Sequence, residues 1–414
     1  MTAGPSTGYN QGHPKDDGAA PKGHPVRWVV LAIFVLSTAI NFLDRTTLAQ
    51  LAVPIRQEFH LTNAQYGLLW TAFYIPYALA APLAGMLIDR IGLTLAASLT
   101  IGVWSAAGIA TGLSRGLGGL AACRAVLGLA EAGGIPAAGK AIHEYLRPAE
   151  RSVGNAVNQM AVSLGVILAV PLATALAVWH GWRSAFLVTG ALGLAWIPLW
   201  NWAAPRAPRI PAAPAAVRGQ GKLLRDRRLW IFVGANALSM VGYSLWNGWT
   251  ANYLMTVHRL SLVEAARYTW IPPLAAMAGG LGGGWLSMRL VDAGVRPLAA
   301  RFRVCLWMAV VSLATAALPW APDAAWSSAG IAVSFGAVAA FSVNMYTMPL
   351  DAFGRDRAAF AISFLTASAG AIAAVISYPI GRVVDLHGYG PVTLAAALAP
   401  LAACALLAGG RAAE

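Results

Sequence analysis

Four charged residues lie inside segments whose other residues are almost all apolar. Asp44 and Arg45 are adjacent in NFLDRTTLA, and Arg124 and Glu131 lie in CRAVLGLAEAGG. A charged side chain at the centre of a bilayer costs about 2.5–3.5 kcal/mol on insertion scales. Charges retained at that cost usually line a path for an ion, a proton or a charged substrate, so these four are the first candidates for chemistry.

Arg124 and Glu131 are seven residues apart, so two helical turns place them on one face, with Gly128 between them. A guanidinium favours the ionised form of a nearby carboxylate, whereas burial favours the protonated form. Glu131 is therefore a candidate for proton uptake. The packing alternative is a structural ion pair that holds the fourth membrane span to the first.

Asp44 and Arg45 are adjacent, so their side chains diverge by about 100° on a helix. We expect one to face a central cavity and the other a neighbouring helix. Arg45 is the better ligand for an anion, because its planar guanidinium pairs with a carboxylate through two hydrogen bonds. Asp44 is the better proton carrier. The alternative is that both lie at the water-exposed end of their span.

The composition is that of a membrane protein. The 414-residue chain is 58% hydrophobic and 11% charged, whereas a soluble domain is about 25% charged. About 20 apolar residues suffice to cross a bilayer, and the sequence predicts an all-α fold with twelve such spans. They are 28–50, 64–88, 93–113, 117–142, 152–178, 184–203, 229–255, 267–290, 302–320, 326–349, 359–381 and 389–409.

The distribution of the basic residues behind the net charge of +13 indicates how the chain is oriented in the membrane. With both termini in the cytoplasm, 21 of the 29 Lys and Arg residues fall in inside tails and loops and six in outside loops. That asymmetry is the positive-inside rule, so we expect an inner-membrane protein in contact with lipid and no nucleic-acid partner. The Gly-, Pro- and charge-rich residues 1–26 predict a disordered cytoplasmic tail.

Enzyme and metal chemistry find no support in the sequence. The three cysteines lie in apolar segments without CxxC spacing, and the seven histidines are scattered through tails and loops. Phosphate-binding loops and the GxSxG and HExxH motifs are absent. We therefore expect no enzyme, no metal and no cofactor.

The chain divides into two similar halves. A Pro-, Ala- and Arg-rich stretch at 204–228 predicts a cytoplasmic linker between six-helix bundles at 27–203 and 229–410. GMLIDR at 85–90 and GWLSMR at 284–289 match at a constant offset of 199. Parallel repeats of this kind are the architecture of major facilitator transporters, which bind substrate between the halves near the bilayer midplane.

The short loop GMLIDRIG contains two candidate gating residues, Asp89 and Arg90. Asp89 can sit against the N-terminus of a facing helix, where the helix dipole favours an anion, while Arg90 pairs with a nearby acid. The matching second-half site has Met288 in place of the acid, so we expect a weaker latch there or none.

Polar and aromatic groups inside other spans are candidates for substrate contact. Trp246 and Asn247 lie in YSLWNGWTANYL, where rings can stack on a sugar-like ligand and amides can bond its hydroxyls. Tyr77, Gln159 and Asn344 are further candidates. The alternatives are an interfacial aromatic belt and hydrogen bonds between helices.

The motifs quoted above, together with AFYIPYALAAPLAGMLIDRIG, GLAEAGGIPAAGKA and VTGALGLAW, resemble the anion:cation symporters of the major facilitator superfamily, in particular bacterial hexuronate and aldonate permeases. The resemblance implies that Asp44 and Glu131 couple protons. It implies that Arg45 binds the substrate carboxylate, that Arg124 supports the charges and that Tyr77 lines the pocket. Phe42 departs from the tyrosine that is frequent in relatives.

We therefore expect a monomeric transporter that imports a small organic anion, such as a sugar acid, together with protons by alternating access. Two other classes remain open. A spinster-like lipid carrier has a similar first-span Asp-Arg pair, and a drug or metabolite exporter shares the same fold.

Overall fold

The computed structural model describes residues 25–147, 150–210 and 223–411, and all regular structure in these ranges is helical. Most of the expected tail at 1–26 and residues 211–222 of the expected linker lie outside the described ranges. The helices are α1 Pro25–Gln50, α2 Ala52–Glu58, α3 Asn63–Ile91, α4 Leu93–Gly112, α5 Leu117–Glu131, α6 Gly134–Tyr145, α7 Arg151–His180, α8 Trp182–Ala203, α9 Arg227–Val257, α10 Leu262–Thr269, α11 Ile271–Asp292, α12 Pro297–Ser312, α13 Ala324–Phe353, α14 Arg355–His387 and α15 Gly390–Arg411.

Ten helical segments in the described ranges are long and apolar enough to cross a membrane, and eleven are if the bent α3 counts as one. α3 bends by 52° between its parts Asn63–Ala81 and Leu83–Ile91. The expectation of twelve spans exceeds this count by one. The helix not counted as a span is α11, the expected eighth span. Five of its 22 residues are glycines, which contribute little apolar surface.

Those glycines allow α11 to pack closely against α13. A Cβ atom on Gly283 would lie 2.6 Å from the Cβ of Ala340 on α13, which is too close for two carbon atoms. Small residues that bring two backbones together are a common basis of helix packing in membranes. α11 therefore gains its contacts from backbone proximity rather than from large apolar side chains.

Exposed tryptophans mark both ends of the helices. Trp179, Trp320 and Trp326 are exposed near the end of the molecule that contains α2, and Trp202, Trp230 and Trp285 are exposed toward the opposite end. Tryptophan is enriched where a membrane meets water. The two groups therefore agree with a multi-pass protein whose helices run between the two faces of a bilayer.

The two halves of the chain are joined by hydrogen bonds at the α2 end, which we call the closed end. Among the described residues, every hydrogen bond between residues 27–203 and residues 229–410 lies on this side. They link Asn63 and Ala64 to Asp385, Arg56 and Asn63 to Asn252, Tyr66 to Gly248, and Thr71 to Ala374. The opposite end contains Asp89, and we call it the Asp89 end.

Candidate functional site

The centre of the site is an ion pair between α1 and α5. Arg45 donates from Nε and Nη2 to the same carboxylate oxygen of Glu131, at 3.0 and 2.7 Å. Arg45 is 12% exposed, whereas Glu131 is fully buried. The sequence placed Arg124 and Glu131 on one helix face, and in the structure Arg45 is the residue that bonds to Glu131. The pair joins the first span to the fourth.

Three aromatic rings surround the Arg45 guanidinium. Its central carbon lies 5.0 Å from the ring centroid of Phe42, 4.9 Å from that of Phe73 and 5.3 Å from that of Tyr77. Cation–π attraction at such distances holds a guanidinium in place and replaces part of its hydration. Gly128 of α5 makes the arrangement fit, because a Cβ there would collide with the Phe73 carbonyl oxygen.

Asp44 points away from this aromatic enclosure, toward α4 and α8. Its Oδ1 accepts a hydrogen bond from the Thr189 hydroxyl at 2.8 Å, and the residue is 1% exposed. A Cβ on Gly108 would lie 3.1 Å from its Oδ2. Asp44 is thus a buried acid between helices of the first half. The sequence reasoning missed Thr189, although it lies in the VTGALGLAW stretch that carried the family resemblance.

Arg124 lies behind the site and does not line it. The residue is 1% exposed, and none of its guanidinium nitrogens donates a hydrogen bond to a described residue. It is close enough to Asp44 and Glu131 to interact with both charges, and its guanidinium lies 5.5 Å from the Phe186 ring centroid. Arg124 is therefore a buried positive charge within range of two buried acids.

The second half contributes fewer of the expected contacts. Trp246 is 2% exposed and donates its indole N–H to Ser334 on α13. The Asn344 amide is fully buried and donates to the carbonyls of Gly283 and Ala340. Both side chains are therefore engaged in contacts between helices in this conformation.

Other expected side chains are more accessible. Asn247 is half-buried and Gln159 is exposed. Tyr74, which was not among the expected residues, lies within electrostatic range of Arg45, as does Tyr243 of the YSLWNGWTANYL segment. Tyr74 precedes Tyr77 by three residues on the same helix face, and that spacing could have identified it.

Asp89, the acid of the expected latch, contacts a lysine within residues 27–203. Asp89 pairs with Lys140 of α6 at 2.7 Å, and the same ammonium donates to the Ile88 carbonyl at 3.1 Å. Arg90 is exposed. The anticipated partner of Asp89, a helix N-terminus, is thus replaced by a lysine. Gly92, with φ of 82°, ends α3 in a backbone conformation that favours glycine.

The site beside Met288, which matches the Asp89 site in sequence, has different contacts. Arg301 of α12 donates to the Ser287 hydroxyl of α11 and lies 3.5 Å from the Asp351 carboxylate of α13. The expectation of a weak or missing latch beside Met288 overlooked this arginine. One guanidinium links three helices there, and the acid comes from a different helix than Asp89 does.

Comparison with known proteins agrees with this architecture. Residues 34–377 match the Major Facilitator Superfamily, and the chain belongs to this family. It is 26% identical over 387 residues to a hexuronate transporter of Escherichia coli strain K12, covering 89% of this chain and 90% of that one. It is 27% identical over 282 residues to a galacturonate transporter of Dickeya chrysanthemi, covering 64% and 82%.

A solved structure shares the fold. It is a bacterial homologue of the human lysosomal transporter spinster in an inward-facing, occupied conformation, with a TM-score of 0.75 and 22% identity over 94% of this chain and 98% of that one. The family and these relatives are transporters. The chain is therefore a multi-pass membrane transporter and not an enzyme.

Proposed function

We propose that this protein imports a small organic anion, a sugar acid of the hexuronate or aldonate class, together with protons across a bacterial inner membrane. In this proposal α11 completes twelve spans in two six-helix halves, and both termini lie in the cytoplasm. The observation that carries the proposal is the Arg45–Glu131 ion pair, in which a buried acid neutralises a partly exposed anion ligand. The similarity to a hexuronate transporter and a galacturonate transporter supports the substrate class.

The ion pair couples the anion to a proton. A substrate carboxylate that binds Arg45 competes with Glu131 for the same guanidinium. Glu131 would then be left as an unpaired charge in a site with no exposure to water, which is energetically costly. Protonation removes that cost, so anion and proton bind favourably only together. Asp44 provides a second buried acid, with Arg124 in range of both.

Alternating access follows from the uneven contacts between the halves. The hydrogen bonds at the closed end seal one side, which we assign to the outside of the cell. The Asp89 end faces the cytoplasm in this assignment, and the conformation is inward-facing, as in the spinster homologue. Binding shifts the population between this state and an outward-facing one.

The test is Glu131→Gln in proteoliposomes. Glutamine keeps the size of the side chain, but it has neither the negative charge that holds Arg45 nor a site for the proton. We expect galacturonate accumulation driven by a pH gradient to be lost while exchange of labelled for unlabelled galacturonate continues. Glu264→Gln, in the capping box of α10, is the control and should accumulate normally. Undiminished accumulation by Glu131→Gln would refute the coupling.

The lipid-carrier alternative is kept because the spinster homologue shares the fold. The two functions differ in the ligand that stabilises the purified protein, since a ligand that binds the native state raises its Tm. We expect galacturonate to raise Tm and a neutral hexose or a lysophospholipid not to do so. Stabilisation by the lysophospholipid alone would favour the lipid carrier.

A further inference from the structure

The fourth span, Leu117–Tyr145, has a two-residue turn in its helix directly after Glu131. α5 ends at Glu131, α6 begins at Gly134, and Ala132 and Gly133 lie between them. The Gly133 amide bonds to the carbonyl three residues earlier, at 3.5 Å, rather than to the one four residues earlier. The regular four-residue hydrogen-bond pattern of the helix is therefore interrupted at Gly133, two residues after Glu131.

The sequence explains the break. Pro136 has no N–H, so it cannot donate to the carbonyl of Ala132, and a proline ring clashes with the carbonyl four residues before it. Gly133 and Gly134 add backbone freedom on the other side of that carbonyl. A proline and two glycines within four residues make a helix easier to bend at this point.

The two glycines are not required by packing. A Cβ on Gly134 would meet no atom within 4 Å, and one on Gly133 would make only ordinary contacts with Thr100 and Ala84. In contrast, Gly128 in the preceding turn is required by the close approach of Phe73. Glycine at 133 and 134 is therefore not required by space, and without a Cβ these residues leave the backbone freer to bend.

The helix beyond the break carries the latch lysine. Lys140 lies on α6 and donates to Asp89 and to the Ile88 carbonyl at the end of α3. Movement of α6 about residues 132–134 changes the position of Lys140 relative to Asp89. At the other side of the break, Glu131 is tied to α1 through Arg45.

We propose that residues 132–134 form a hinge through which release of Glu131 from Arg45 moves α6 and opens the Lys140–Asp89 latch. The hinge rests on the proposed function, because it takes the protonation of Glu131 as the event that releases the pair. It adds a mechanical link between the buried charge site and the Asp89 end. α6 acts as the lever, and residues 132–134 are its pivot.

The experiment stiffens the hinge and measures the position of α6. Gly134→Ala with Pro136→Ala restores a donor and favours a continuous helix, and each change shifts the bent–straight equilibrium by about fivefold or more. Gly139→Ala is the matched control, because Gly139 lies within α6 and a Cβ there also meets no atom within 4 Å. Spin labels at His143→Cys on α6 and Met86→Cys on α3 report their separation, with the unlabelled parent controlling for the three native cysteines.

With the native hinge, we expect Glu131→Gln to change the distance between the two labels. In the Gly134→Ala/Pro136→Ala background that change should be absent, while Tm stays at or above the wild-type value and galacturonate uptake falls about tenfold or more. Gly139→Ala should leave both distance and uptake unchanged. An equal distance change in the stiffened and native backgrounds would overturn the hinge, as would full uptake by the stiffened variant.

The distance measurement also separates the hinge from the proposed function. If Glu131→Gln loses pH-driven accumulation but leaves the label distance unchanged, the coupling stands and the hinge is wrong. If Glu131→Gln accumulates substrate normally, the proposed function fails whatever α6 does. A stiffened protein with a lower Tm and normal label movement would show that residues 132–134 serve packing only.

Discussion

The Asp385 carboxylate lies against the first turn of α3 and accepts hydrogen bonds from both amides of Asn63. The backbone N–H of Asn63 donates to it at 2.9 Å and the side-chain amide at 2.8 Å, while the backbone of Ala64 donates to the other oxygen at 2.8 Å. An acid from the second half of the chain thus caps a helix of the first half, where the helix dipole favours negative charge.

Asp385→Asn should weaken the closed end. The substitution removes the charge and replaces an acceptor oxygen by an N–H₂ group that faces backbone donors. The cap is exposed, so we expect a loss of about 1 kcal/mol and a shift toward the conformation open at this end. The measurement is the labelling rate of Thr71→Cys by a membrane-impermeant thiol reagent added from the outside.

Asp323→Asn is the matched control for that prediction. Asp323 caps α13 by accepting from the Trp326 amide, so its contact stays within the second half. It should lower stability without changing the labelling rate at position 71. Equal labelling of the Asp385→Asn protein and the wild type would show that the cap does not hold the halves together.

Arg45→Lys should reduce substrate affinity even though the charge is kept. Lysine cannot place two parallel donors on one carboxylate, and its compact ammonium stacks less well on Phe42, Phe73 and Tyr77. We expect the Kd for galacturonate to rise by about 10- to 100-fold, which corresponds to the strength of a charge-assisted pair. Calorimetric titration measures it, and an unchanged Kd would remove Arg45 from the binding site.

Gly128→Ala should disturb the aromatic enclosure from behind. The new methyl group would collide with the Phe73 carbonyl, which must move and carry its ring away from Arg45. Overpacking of this kind costs about 1–3 kcal/mol. We expect a lower Tm and weaker galacturonate binding, whereas Gly118→Ala, in open space on the same helix, should change neither. Similar behaviour of the two variants would contradict the argument.

The pH dependence of stability should include a contribution from Glu58, which lies between membrane spans. Hydrogen bonds from the Trp182 indole and from Arg183 hold the pKa of Glu58 below its ordinary value. A folded-state pKa below the unfolded value gives stability that is full above about pH 4.3 and is lost as the pH falls through the folded-state pKa. Glu58→Gln should therefore lower Tm at neutral pH and flatten its acidic decline, and parallel Tm curves would refute this.

The sequence predicted the parts of this molecule that depend on local pattern. Long apolar segments identified the membrane helices, and the cost of buried charge selected Asp44, Arg45, Arg124 and Glu131 before any contact was known. Helix geometry also predicted that Asp44 and Arg45 diverge, and they contact different neighbouring helices.

The partners of those residues depend on packing between distant segments, which local pattern does not encode. A seven-residue spacing places Arg124 and Glu131 on one face, but it does not show that α1 lies closer to Glu131 than Arg124 does. Trp246 and Asn344 were expected to reach substrate because amides and indoles suit a polar ligand. Their partners Ser334 and Gly283 come from helices that only the folded structure brings beside them.

The glycine-rich contact between α11 and α13 bears on how the protein is made. α11 is synthesised before α13. By its composition, α11 is the long helix in the described ranges that partitions least favourably into the bilayer. Its preferred neighbour is still unsynthesised at that moment. We expect the second half to integrate as a group rather than helix by helix, with α11 settling into the bilayer only once α13 has arrived to cover its glycines.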